Sequence, residues 1–147
     1  MHSTMDQARM TRDDPRSKHV EGHVADLLTL LEVLEQSSAP DAFLLIQVQG
    51  REDFLQFTAV PGAFALDFPL ITPRQRTLGP KLRRIASAFD LEVRESRLPS
   101  GATFLHVDVP GSATVAAVVV ERLLSDLYAV DETTRLLFVS HGCALQE

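Results

Sequence analysis

The sequence predicts an α+β protein, an antiparallel sheet packed against helices in the order α-βββ-α-ββ-α with a short closing strand. Three observations lead there. First, the stretch from Phe43 to Phe68 (FLLIQVQGREDFLQFTAVPGAFALDF) splits into three short apolar runs, separated by Gly50-Arg51-Glu52-Asp53 and by Val60-Pro61-Gly62. Second, each run alternates: Leu44, Ile46 and Val48, then Leu55, Phe57 and Ala59, then Phe64, Leu66 and Phe68 fall on one side. That is the period of strands, and two short links in succession make an antiparallel meander. Third, the segments around the meander carry period 3.6, and strands that come as hairpins, not in strict alternation with helices, imply an α+β arrangement.

In chain order, residues 1–19 are polar, charge-mixed and aperiodic, with Pro15 among them, and are expected to be a disordered tail. The folded domain is expected over 20–141, with a loose tail over 142–147. Val20, Val24, Leu27, Leu31 and Leu34 recur at spacings that predict an amphipathic helix over 20–36, with Leu28 and Leu30 widening its stripe. After Phe68, Pro69 ends the third strand because it cannot donate to a ladder. Thr72-Pro73-Arg74-Gln75 then combines a cap, a first-turn proline and a capping-box glutamine. Gly79-Pro80 is expected to split the segment into a turn over 73–78 and a helix over 80–89, since Pro80 removes an amide and crowds the preceding turn. Leu78, Leu82, Ile85 and Phe89 keep one face across both pieces.

Residues 91–98 and 103–109 form a predicted hairpin around Pro99-Ser100-Gly101-Ala102, with Leu105, Val107 and Val109 alternating against Phe104, His106 and Asp108. Ser112 is a candidate N-cap for a helix over 113–129. Val115 and Val118-Val119-Val120 have strand propensity, but the length of the segment favours a helix. Its first half is apolar almost all round, so it should be the most buried of the three helices. Residues 135–140 (RLLFVS) read as a last short strand.

At 147 residues the chain has the length of one domain able to bury a core without staples. A net charge of -6 and a pI of about 5.3 argue against a general nucleic-acid binder, which needs a basic footprint, and against attachment to anionic membranes. The single cysteine, Cys143, cannot form an internal disulfide. No apolar segment near the start resembles a signal peptide, and the longest apolar block, Val115 to Val120, is far shorter than a membrane span. The expectation is a cytoplasmic protein.

The search for chemistry returns little. His19 and His23 have the i, i+4 spacing of helical metal ligands, but Val20 stands where a zinc protease places its glutamate, and three or four ligands are needed. Cys143 and His141 lack an orienting third group. His106 reads as a surface residue of its strand. Gly79-Pro80-Lys81 lacks the second glycine and the hydroxyl of a phosphate loop. Asp13-Asp14 and Asp131-Glu132 sit in tails or turns. No acid, base and nucleophile come together from this inventory, so the expectation is a non-enzymatic protein with no cofactor and no metal. Arg74, Arg76, Lys81, Arg83 and Arg84 concentrate positive charge around the second helix. They either solvate its outer face or, through Arg76, Lys81 and Arg84, bind an anion as a small-ligand or regulatory domain would.

The strands' second face is the other feature of note. In a one-sided sheet the outward positions should be polar. Here Phe43 and Leu45 point opposite to Leu44 and Ile46, and Phe54 and Phe104 are likewise out of phase with the core positions. Either another helix covers these four residues or a partner protein does.

With its order of elements in view, the chain resembles the type III secretion chaperone-like fold, which includes the Tir-type chaperones, the YbjN-like proteins and the TY-Chap domains. The resemblance covers residues 20–140. It rests on that order, on Arg51 to Phe57 (REDFLQF), similar to the family's second strand, and on Val120 to Val130 (VERLLSDLYAV), similar to its closing helix. It implies a small, acidic, cytoplasmic, often dimeric protein that binds segments of other proteins and catalyses nothing. Gly79-Pro80 and the final strand depart from the pattern. The expectation is therefore a protein-interaction or chaperone-like module, a homodimer, with Phe43, Leu45, Phe54 and Phe104 as its contact surface.

Overall fold

Alternation in the meander becomes alternation of burial. In β2 (Phe43–Val48) and β4 (Ala63–Pro69) every second side chain is buried and the residues between are half-buried; in β3 (Phe54–Val60) Leu55 and Phe57 are buried, Ala59 is half-buried and Val60 exposed. The computed structural model describes residues 17–37 and 39–143. The remaining elements are β1 (Ser17–Gly22), α1 (Leu27–Glu35), α2 (Pro73–Ala88), β5 (Val93–Arg97), β6 (Thr103–Pro110), α3 (Ala113–Tyr128) and β7 (Leu136–His141). All seven strands join one sheet in the order β1-β7-β2-β3-β4-β6-β5. Every neighbouring pair is antiparallel. The protein is thus α+β, as the alternation and hairpins predict.

One cluster joins the inward strand residues to the helices. Leu44, Ile46, Phe57, Phe64, Leu66, Phe68, Leu105 and Phe138 meet Leu31 and Leu34 of α1, Leu82 of α2, and Val120 and Leu124 of α3, all nearly inaccessible to water. Each such side chain contributes roughly 1.5–3 kcal/mol by leaving water, so this seam dominates the stability. α3 lies between α1 and α2 and touches both.

Five sequence expectations need correction. Residues 17–22 are not tail and helix start but the edge strand β1, paired with β7 from Ser17↔His141 to Gly22↔Leu136. The helix expected from residue 20 begins at Leu27, after a short 3-10 turn over Val24–Asp26 whose cap is His23. Residues 1–16 and 144–147, also expected to be tails, lie outside the described residues. Gly79-Pro80 does not break its helix: α2 runs unbroken through both, behind the Thr72–Gln75 capping box. A proline crowds the Cβ of the residue before it, and glycine has none. Gly79 is also buried against Leu70, whose Cδ2 would lie 3.1 Å from a Cβ at that position. α3 has the most buried positions of the three helices. Its first half is nonetheless not enclosed all round, since Val115 is 50% and Val118 60% exposed. Cys143, expected in a loose tail, is buried in the core cluster. Burial pushes its thiol pKa up.

Candidate functional site: the open face of the sheet

Residues paired directly across antiparallel strands project to the same side. The registers therefore define the face turned away from the core. One row crosses all seven strands: His19, Val139, Leu45, Gln56, Asp67, His106 and Arg94. A parallel row carries Glu21, Leu137, Gln47 and Phe54, then Pro69, Phe104 and Ser96. Ser17, His141 and Phe43 begin a third. Phe43, Leu45, Phe54 and Phe104 thus share one face, and each is half-buried. Leu137, half-buried, extends the patch, which sequence reasoning missed; Val139 is on the same face but buried. The alternation in RLLFVS marks a strand, but only the register shows that β7 lies between β1 and β2.

Two clusters of like composition border the patch. At one end Phe43 stacks on His141, with ring centroids 5.1 Å apart. His141 Nδ1 lies 2.9 Å from Ser17 Oγ, and Nε2 lies 3.6 Å from Asp41 Oδ2. At the other end Phe104 stacks on His106 at 6.4 Å. There His106 Nδ1 lies 2.5 Å from Asp67 Oδ1, and Nε2 lies 2.6 Å from Ser96 Oγ. Each histidine has a hydroxyl and a carboxylate beside its ring nitrogens, and each stacks against a phenylalanine ring.

The second cluster brings together an acid, a base and a hydroxyl, a combination that the linear inventory does not reveal. Ser96, His106 and Asp67 come from three strands, and only the β4–β6–β5 register makes them neighbours. With Asp67 accepting from Nδ1–H, the ring's Nε2 is free to accept the Ser96 O–H, the order of a proton relay. The relay lies open to water: the His106 side chain is 28% and that of Asp67 43% exposed. Water weakens the electrostatics that give such relays catalytic power.

The arginine cluster disperses. Arg74 grips Asp53 with two hydrogen bonds, Nε to Oδ1 at 2.7 Å and Nη2 to Oδ2 at 3.0 Å, and that carboxylate raises the Arg74 pKa. Arg76 donates to the Ile71 carbonyl, Lys81 to the Asp126 carbonyl at 3.1 Å, and Arg83 to Glu95 at 2.8 Å. Arg84 is exposed. Arg76 and Lys81 are thus each engaged by a backbone carbonyl. Around Arg74, Arg51 Nη2 donates to the Tyr128 carbonyl at 2.8 Å, and the Tyr128 hydroxyl donates to the Phe54 carbonyl at 2.9 Å. Burial is the main cause that raises the Tyr128 pKa.

His19 sits on β1 and His23 at the turn after it, so the two do not share a helix face. Among the described residues no three metal-ligating side chains form a group, and no helix is long and apolar enough to cross a membrane. A shallow depression of about 530 Å³, lined by His19, Glu21, Gln49 and Leu137, lies at the β1–β7 end of the sheet. The chain matches no known family model, no curated protein and no solved structure.

Proposed function

We propose that this chain is a non-enzymatic, cytoplasmic, chaperone-like protein-interaction module that acts as a homodimer. Its binding surface is the open face of the sheet, and its targets are extended segments of other proteins with apolar side chains at alternate positions. One observation carries this reading: the helices gather in the core on one side of the sheet, while Phe43, Leu45, Phe54 and Phe104 stand on the other, half-buried, the two end rings stacked against histidine neighbours. An apolar surface of that kind, interleaved with Gln47, Gln56 and Asp67, suits a ligand that offers both hydrophobic side chains and hydrogen-bonding groups.

The test uses the insulin B chain, released by reduction and followed by light scattering. The protein should suppress its aggregation near equimolar ratio, and a Leu45→Asp/Phe54→Asp variant with unchanged far-UV circular dichroism should not. Suppression that survives both substitutions would refute the assignment of the face. Labelling of native Ser96 by a fluorophosphonate, lost in Ser96→Ala, would refute the non-enzymatic part.

A further inference from the structure

The open face mixes its apolar patch with charge of one sign. On β1, Glu21 projects to this face and is exposed. On β4, Asp67 projects to it, with its side chain 43% exposed. Of the described strand residues, Arg94 is the one lysine or arginine on this side, and Asp108 already holds it at 3.1 Å. Between the two carboxylates lie β7, β2 and β3, which carry the apolar residues Leu137, Leu45 and Phe54.

We infer that the open face selects extended segments that are cationic as well as apolar, with a lysine or arginine at each end of a short apolar stretch. This selectivity rests on the proposed binding role of the face and gives the chemistry of the segment it takes.

The spacing follows from the sheet. Glu21 on β1 and Asp67 on β4 are separated by the three strands between them, and neighbouring strands lie about 4.8 Å apart, so the two positions are roughly 19 Å apart across the sheet. They sit in adjacent rows, about 7 Å apart along the strands, which brings the separation to roughly 20 Å. An extended chain rises about 3.3 Å per residue, so about six residues span it. Because that number is even, the residues at the two ends of the span point to the same side. A segment of the form cation–x–apolar–x–apolar–x–cation therefore turns all four of its defining side chains toward the sheet. Its apolar side chains lie over Leu137, Leu45 and Phe54 as it crosses the strands, and its cations reach Glu21 and Asp67. The long stems of lysine and arginine absorb the twist of the sheet. Acidic segments are repelled at both ends, so charge sorts partners that apolar contact alone would not.

Fluorescence anisotropy at pH 8, above the range in which imidazoles ordinarily charge, tests this with dye-labelled, end-blocked peptides. The probes are Lys-Thr-Leu-Thr-Val-Thr-Lys and its relatives with glutamine or glutamate in place of both lysines. At low salt the lysine probe should bind roughly tenfold more tightly than the glutamine probe, each exposed ion pair supplying a few-fold, and the glutamate probe should bind more weakly than either. In about 0.5 M sodium chloride the gap should close to about twofold. Glu21→Lys/Asp67→Lys should invert the order of the lysine and glutamate probes. Glu21→Gln alone, at an exposed position away from His106, should reduce the preference about threefold, so the test does not depend on how Asp67 is tolerated. Equal binding of the three probes, lost in Leu45→Ser/Phe54→Ser, would overturn the charge selection and leave the open face as the binding surface. Binding of no probe would overturn the selection too, and if insulin B-chain aggregation also went unsuppressed, the proposed function would fall with it. Lysine-probe binding that survives Leu45→Ser/Phe54→Ser would overturn both.

Discussion

Removing the Asp53 carboxylate is the sharpest test of how the open face is held in place. Asp53 is 8% exposed and immediately precedes Phe54. It takes the two hydrogen bonds from Arg74 and lies 3.5 Å from Arg51 Nη1. Through these arginines it ties the β2–β3 turn to the first turn of α2 and to the end of α3, where the Arg74 guanidinium lies 6.0 Å from the Tyr128 ring centre. Breaking a fully buried ion pair costs about 3–5 kcal/mol, and an exposed pair contributes about 0–1 kcal/mol. Here the carboxylate is buried, but the Arg74 and Arg51 side chains are 56% and 43% exposed and would rehydrate once released. Asp53→Ala should therefore cost about 2–3 kcal/mol, within the range of charge-assisted hydrogen bonds. For a chain of this size that is a fall of about 5–10 °C in melting temperature. Asp53→Asn, which keeps one acceptor but cannot match the guanidinium fork, should cost roughly half as much. Denaturant unfolding of Asp53→Ala, Arg74→Ala and the double variant closes a cycle whose coupling should exceed about 1 kcal/mol. A loss below about 0.5 kcal/mol in Asp53→Ala would refute the reasoning.

Two further predictions concern the end of α3. Tyr128 is the only tyrosine, and its raised pKa means the fold favours the neutral phenol. Its contribution is whole below the unfolded value of about 10 and is lost as pH climbs above it toward the folded value. Phenolate absorbance should therefore appear only well above that point and together with loss of circular dichroism, and a normal titration with the fold intact would contradict it. Ala129, the next residue, has φ of 57°, a conformation that costs a side-chain-bearing residue free energy. Ala129→Gly should stabilise the protein by roughly 0.5–1 kcal/mol, visible as a melting temperature about 1–4 °C higher.

What the sequence carries plainly is whatever repeats at short range. The period-2 runs of 43–68 and 103–109 mark the core face of four strands, and Thr72-Pro73-Arg74-Gln75 marks a helix start at the observed residue. β1 is hidden because SKHVEG has one large apolar residue and an edge strand need bury little. Its identity depends on a partner more than a hundred residues away. Pro80 misleads because the general rule against a proline within a helix is relaxed when glycine precedes it and the helix has a face to bury. The Phe43, Leu45, Phe54 and Phe104 face can be read from phase alone. The relay of Ser96, His106 and Asp67, and the dispersal of the arginines, depend on which strands are neighbours, and spacing carries no trace of that.

The sheet order also has a consequence for how the molecule assembles. β7, the last of these strands to be synthesised, enters between β1 and β2 and makes both of their ladders. Until it arrives, β1 has nothing to hold and the edge of β2 stands bare beside Phe43 and Leu45. Contacts this distant along the chain slow folding and leave strand edges open to wrong partners. The nascent polypeptide is thus itself, for a time, the kind of exposed apolar segment that the open face is proposed to bind.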